Sequence, residues 1–254
     1  MTPAEILARY DAEMRANPPD EAGVRHERDG GIVRAVGVYN CILFSNLDPA
    51  DADAVIADQA ASFRAIGAAF EWKVYGHDLP ADLGRRLAAA GFEPDGQETL
   101  MAFDLDLRPP DGAVPAGVEF RRVNDAAGLE DMIQVSGAAF GRDDRRRLEV
   151  FRARLEDPTL GLFVAYAGGR PVSAGRMELP AGRSFASLWG GGTLPAYRGR
   201  GIYRGLVAHR AAEALRRGYR FLTIDARDTT SRPILERLGA VALVSVQGWL
   251  LRPQ

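Results

Sequence analysis

From residue 118 onward the hydrophobic pattern switches back and forth between a two-residue period and a helical one. Val118–Val123 (VEFRRV) alternates and predicts a strand. Asn124–Asp125 offers a cap for a helix over Ala126–Phe140, and a basic helix over Asp143–Leu155 follows. Leu160–Ala167 is almost wholly apolar, as in a buried strand. Gly168–Gly169 turns the chain into a strand over Pro171–Leu179, and Pro180–Gly182 turns it again into Ser184–Leu194. Past the loop Pro195–Gly201, the apolar residues Ile202, Leu206, Val207, Ala211 and Leu215 recur at helical spacing. That helix runs to Arg217, and Gly218 suits its left-handed end. A strand over Tyr219–Ala226, a short helix Ser231–Leu238 closed by Gly239, and last strands in Ala240–Leu251 complete the pattern. Antiparallel strands that later exchange with helices predict an α+β fold built on a mixed sheet.

The first half repeats part of this order. A helix over Asp51–Ile66 ends at Gly67, a strand covers Ala69–Gly76, and a short helix over Ala81–Ala90 ends at Gly91. The two closing glycines lie 24 residues apart here and 21 apart in the second half, Gly218 to Gly239. The expectation is an internal duplication. Leu107–Gly117, with three prolines and two glycines, denies itself regular structure. The predicted division is therefore a first domain at 1–107, a linker at 108–117 and a second domain at 118–254.

Composition narrows the function classes. A net charge of −2 gives no positive field for a dedicated nucleic-acid binder. With Cys41 as the lone cysteine, neither an intramolecular disulfide nor a cysteine zinc cluster can form. Met1–Asn17 carries Glu5, Asp11 and Glu13 and has no apolar core of a secretory signal. The richest apolar stretch, Ala35–Phe44, is broken by Asn40 and is too short to span a bilayer. A cytoplasmic protein without membrane or nucleic-acid partners is expected.

The segment that carries chemistry is Trp189–Gly205 (WGGGTLPAYRGRGIYRG). Gly199 and Gly201 stand just before a helix, interleaved with Arg198 and Arg200. A helix start carries four N–H groups without intrahelical partners and about half a positive charge. Glycines let a polyanion approach that backbone, and arginines add charge-assisted hydrogen bonds, so a pyrophosphate site is predicted. No G-K-[ST] follows, which excludes a P-loop. A dinucleotide fingerprint fits less well, because Arg204 stands where the third glycine belongs and Pro195 lengthens the turn. Asp225 does lie near the place of a ribose-binding acid, so an NAD(P)-binding oxidoreductase module stays open.

The run Arg198-Gly199-Arg200-Gly201-Ile202-Tyr203, introduced by Thr193-Leu194-Pro195, resembles the phosphate loop [Q/R]-x-x-G-x-[G/A] of the GCN5-related N-acetyltransferases. The resemblance covers about Gly117–Gln254 in element order, and SRPILERLG (Ser231–Gly239) looks like the family's last helix. It implies an acyltransferase that moves an acetyl group from acetyl-coenzyme A to a primary amine, on a small molecule in preference to a protein. It further implies that Gly192, Thr193 and Leu194 bind the pantetheine arm and that Arg198, Gly199, Arg200, Gly201, Ile202, Tyr203 and Arg204 wrap the pyrophosphate. The strands on either side would splay to admit the thioester. Two residues depart from the pattern. Tyr203 replaces a small residue, and Leu235 stands where many members carry a tyrosine that protonates the thiolate. The second departure keeps open a catalytically silent acyl-coenzyme A sensor. In the first half the corresponding loop falls at Leu47-Asp48-Pro49-Ala50, without glycines and beside Asp51 and Asp53, so that half is expected to be a degenerate copy.

No catalytic residue follows from the sequence. Glu178, Asp225 and Asp228 end central strands and are candidates to take the amine's proton through water, with Ser187 a candidate water holder. Ser231 reads better as a helix cap. His26, His77 and His209 are scattered without ligand spacing, so no metal site is expected. Trp72, Trp189 and Trp249 read as core residues, and Arg145–Arg147 with Arg152–Arg154 as a solvated helix face.

Overall fold

The structure, a computed structural model, describes residues 1–143 and 145–252. In chain order the first elements are α1 (Pro3–Tyr10), a π-helical turn at Asp11–Arg15, β1 (Val24–Asp29), β2 (Ile32–Gly37), β3 (Cys41–Ser45), α2 (Ala52–Ala65), β4 (Phe70–Tyr75), α3 (Leu83–Ala89) and β5 (Glu93–Asp104). There follow β6 (Val118–Arg122), α4 (Ala126–Phe140), α5 (Arg146–Arg152), β7 (Leu160–Ala167), β8 (Arg170–Glu178) and β9 (Phe185–Thr193). The last are a 3-10 turn at Pro195–Tyr197, α6 (Ile202–Arg216), β10 (Phe221–Arg227), α7 (Arg232–Arg237) and β11 (Val241–Leu251). Two compact units emerge: unit 1 holds Met1–Leu100, Ala226–Thr229 and Ala242–Gln254, and unit 2 holds Met101–Asp225 and Thr230–Val241.

In unit 1 the strand order is β1-β2-β3-β4-β11-β5. β3 and β4 pair in parallel through Cys41↔Glu71 and Ile42↔Trp72, joined by α2. Ile42, Ile56, Phe63, Phe70, Trp72 and Leu87 form the core, with Phe63 stacked on Phe70 at 4.1 Å. Arg15 is buried, bonds Asp78 through both carboxylate oxygens at 2.7 Å, and ties the π-helical turn to the unit.

Unit 2 is a meander of β6, β7, β8 and β9, after which α6 crosses over to β10 in parallel with β9. α4 starts at Asp125, whose side chain accepts from Gly128 N at 2.8 Å, a cap worth about 1 kcal/mol. A Cβ on Gly192 would meet Ala139 and Phe140 of α4, whereas one on Gly191 would meet Tyr203 and Arg210 of α6. Neighbouring strand residues point to opposite faces, so α4 and α6 cover opposite faces of this sheet. That two-sided cover explains why β7 is buried along nearly its whole length.

The domain boundaries differ from the sequence expectation. The units divide at Leu100/Met101, inside β5, and not in 108–117. The segment 108–117 does lack helix and strand, yet it is no free tether: a Cβ on Gly112 would stand 2.7 Å from the Arg204 carbonyl oxygen. Ala240–Leu251 yields one strand, β11, which pairs antiparallel with β4 and puts Leu251 in the core of unit 1. Alternation marks a segment as a strand, but its partner is a non-local choice that periodicity does not encode. Helix α5 is shorter than its basic run, and Asp144 of that run lies outside the described residues.

Candidate active site

The loop between β9 and α6 has the conformation that its glycines permit. Gly199 (φ 75°) and Gly201 (φ 77°) are both left-handed, and no atom would lie within 4 Å of a Cβ on Gly199. Gly201 is the cap position of α6, and no side chain caps the helix there. The first-turn N–H groups of a fifteen-residue helix are therefore presented at a glycine corner, with Arg200 and Arg204 exposed beside them. Arg198 bonds the main chain on either side of the loop. Its Nε donates to the Thr193 carbonyl at 3.1 Å and its Nη2 to the Ala139 carbonyl at 3.2 Å, so it ties the end of β9 to the end of α4. Arg200 lies over the Tyr197 ring at 5.1 Å. Gly192 and Thr193 are buried, and the Gly192 carbonyl accepts from Ser173 Oγ at 2.8 Å. Ile202 is buried in a small cluster with Ala165 and Val172.

Just before this loop β9 leaves its partner. The β9–β10 ladder runs from Phe185↔Phe221 to Leu188↔Ile224 and stops there, while β9 continues to Thr193. On its other edge the register against β8 passes from Trp189↔Arg176 to Gly192↔Ala174, leaving an extra residue on β9. This bulge holds the left-handed Gly190 (φ 56°). Beneath it lies a residue that the sequence reading missed. Arg210 of α6 is 0% exposed; its Nη1 donates to the Arg176 carbonyl at 2.9 Å and its Nε to the Leu206 carbonyl at 3.1 Å. Its Nη2 has no hydrogen-bond partner. Burial pulls the guanidinium down to about 10, with Tyr203 opposing the shift, so it stays charged at neutral pH. Its signal was an arginine on the buried stripe of α6, with Leu206, Val207, Ala211 and Ala214 at three- and four-residue spacings.

On the face toward α4, the sequence candidates meet. Glu178 pairs across the strands with Ser187, Arg176 with Trp189, and Ser187 with Thr223. Trp189 Nε1 donates to Ser187 Oγ at 2.8 Å, and the Arg176 guanidinium lies 5.5 Å from the Trp189 ring centroid. Glu178 Oε2 is 3.5 Å from Arg154 Nη2, and its Oε1 is 3.7 Å from Arg176 Nε. Asp225 is two residues beyond Thr223 on the same face, at the first position past the end of the ladder. A polar patch on central strands is unusual, and ligand-binding sheets supply a reason for one. Between α4 and α5 opens a cavity of about 830 Å³, lined among others by Ile133, Gln134, Arg142, Asp143 and Leu148.

The remaining candidates lie elsewhere. Asp228 belongs to unit 1, where its Oδ1 accepts from Thr99 Oγ1 at 2.7 Å. Ser231 occupies the cap position of α7, but its hydroxyl makes no cap bond. Leu235 is buried and offers no acid. Trp72 is fully buried in unit 1, and Trp249 packs over Gly84. His77 Nε2 is 2.6 Å from Asp11 Oδ2, His209 lies between Phe120 and Phe163, and His26 is on β1. Among the described residues no cluster of three His, Cys, Asp or Glu is arranged to hold a metal ion, and no helix is long and apolar enough to cross a membrane.

Residues 129–240 match the profile of the acetyltransferase (GNAT) family. A search of curated proteins finds no match. Among solved structures, a GCN5-related N-acetyltransferase from Kribbella flavida aligns with a TM-score of 0.73 at 19% identity, covering 97% of this chain and 94% of its own. One from Sphaerobacter thermophilus aligns with a TM-score of 0.65 at 18% identity, covering 98% and 85%. A tandem GNAT protein from the clavulanic acid biosynthesis pathway aligns at 0.61 and 14% identity, covering 91% and 84%. The fold is thus the mixed α/β GNAT-like fold. In unit 2 the parallel pair is β9–β10 amid antiparallel neighbours, which removes the doubly wound parallel sheet that an NAD(P)-binding module requires.

Proposed function

We propose, on the premise that residues 129–240 belong to the acetyltransferase (GNAT) family, that this chain transfers an acetyl group from acetyl-coenzyme A to a primary amine of a small molecule. The observation that carries this reading is the coincidence of three features at one place. The β9–β10 ladder ends at Leu188 and Ile224, β9 bulges at Gly190–Gly191, and the chain then enters an uncapped helix through two left-handed glycines. In this reading the diphosphate rests on the start of α6 between Arg200 and Arg204, and the pantetheine arm follows Gly192, Thr193 and Leu194 into the gap. Main-chain donors at the bulge would face the developing oxyanion.

The amine would approach over the sheet face bearing Glu178, Ser187 and Asp225. A carboxylate there removes the ammonium proton through water, because only the neutral amine attacks. The setting is taken to be the cytoplasm, with neither nucleic acid nor membrane as partner. Leu235, buried and without a proton to give, favours a second reading, a catalytically silent acyl-coenzyme A sensor. Thiol release from acetyl-coenzyme A across a panel of amines separates the two. Release with at least one amine is expected, whereas tight coenzyme A binding without turnover on any amine would establish the sensor. Calorimetry that detects no binding of coenzyme A would overturn both.

A further inference from the structure

Arg210 poses a physical problem that the fold alone does not answer. A charged guanidinium at 0% exposure has no carboxylate partner among the described residues, and one of its amino groups makes no hydrogen bond. Burying an unmatched charge is costly, and natural cores place apolar residues in such positions. Here the surroundings are shaped to admit it. A Cβ on Gly175 would stand 2.6 Å from Arg210 Nη1, and a Cβ on Gly191 would stand 3.3 Å from Nη2. Two glycines on adjacent strands therefore make room for one side chain. The Tyr203 ring closes the same spot, 3.0 Å from that Gly191 point. Nη1 meanwhile takes the Arg176 carbonyl at the level of the bulge, where the β8–β9 register shifts.

We infer that Arg210 is a positioning residue for the carrier: bonded to the Arg176 carbonyl and packed under Gly175 and Gly191, it holds from the α6 side the β9 bulge over which the pantetheine arm would pass. This rests on the coenzyme A reading above and acts on the arm, independent of the phosphate loop.

The test compares three ligands by calorimetry: coenzyme A, pantetheine, and adenosine 3′,5′-bisphosphate, which lacks the arm. Arg210→Met is expected to weaken coenzyme A and pantetheine by about tenfold, the size of a hydrogen bond to a charged group, and to leave adenosine 3′,5′-bisphosphate unchanged. Arg210→Lys, which keeps a donor for the Arg176 carbonyl, is expected to recover part of the loss. Should the methionine variant not fold, Gly191→Ala crowds Nη2 without removing the charge and is expected to show the same ligand selectivity. Equal affinities for wild type and variants, a drop only in the number of binding-competent molecules, or an equal loss for all three ligands would overturn the role of Arg210 while leaving the acetyltransferase reading intact. Failure of the wild-type chain to bind both coenzyme A and adenosine 3′,5′-bisphosphate would instead overturn that reading, and this inference with it.

Discussion

The β3–α2 junction of unit 1 and the β9–α6 junction of unit 2 have the same topology and opposite chemistry. Each joins two parallel strands through a helix. In unit 1 the turn consumes its own donors: Asp48 Oδ1 accepts from Ala50 N at 2.8 Å, and the Asp48 carbonyl accepts from Asp51 N and Ala52 N. Trp72 fills the space beside β3, donating to Ser45 Oγ at 2.7 Å. In unit 2 the turn carries glycines instead of aspartates and lets the strands part, although neither α2 nor α6 is capped by a side chain. A crossover from strand to helix is thus only a frame for an anion site. What makes the site is whether the first-turn donors and the adjoining gap are left for a ligand or closed by the chain itself.

The largest expected effect comes from making the second junction resemble the first. Gly201→Asp forces a side chain into φ 77° and sets a carboxylate at the start of α6. A strain of about 1–2 kcal/mol together with about 1 kcal/mol of lost anion attraction predicts roughly 100-fold weaker coenzyme A binding. Calorimetry reads that loss, and circular dichroism checks that the fold persists. Next, the two arginines should separate. Arg200→Ala is expected to weaken coenzyme A by about tenfold, with a penalty that shrinks as salt is raised. Arg198→Ala removes two bonds to main-chain carbonyls, so it is expected to cost about 1–2 kcal/mol of stability and less affinity than Arg200→Ala. Thermal melts beside titrations distinguish the two, and the reverse ranking would assign the diphosphate to Arg198.

Smaller still is the effect in unit 1. Asp48→Ala removes the acceptor for Ala50 N and is expected to cost about 0.5–1 kcal/mol of stability while coenzyme A binds at one per chain. Two equivalents bound by wild type or variant would end the contrast between the junctions. The least effect concerns pH. Burial, and then Arg210 and Arg216, lower the pKa of His209, which packs against Phe120 and Phe163. The unfolded chain therefore takes up this proton at a higher pH than the folded one. Stability is complete above the ordinary histidine value of about 6.5 and declines as pH falls below it. His209→Gln is expected to flatten that acid limb in urea titrations run at a series of pH values.

Much of this was legible in order of locality. The ends of β7 and of α4 fall where the periodicity places them, because buried faces and the cap at Asp125 are written in neighbouring residues. The strands β1 and β2 are not predicted, since alternation there is interrupted by charged and glycine positions such as Arg28, Gly30 and Gly31, and β3 (CILFS) is a short apolar run whose period does not separate strand from helix. Of the candidate site, the left-handed glycine loop was legible and the hydrogen bonds of Arg198 were not. Arg198 looks free in a linear reading, but its bonds go to Thr193, five residues away, and to Ala139, fifty-nine away.

By itself the sequence determined the bounds of elements such as α4 and β7, which strand-to-helix loop carries left-handed glycines, and which of the two junctions is acidic. Those properties depend on the backbone freedom, capping and charge of residues within a few positions of one another. Only the tertiary structure decided that β11 completes unit 1, that Glu178, Ser187, Trp189 and Asp225 share one face, and that Arg210 lies beneath the bulge between Gly175 and Gly191. Each of these joins residues far apart in the chain, and strand partner and register are fixed by whole-sheet packing that no local pattern contains.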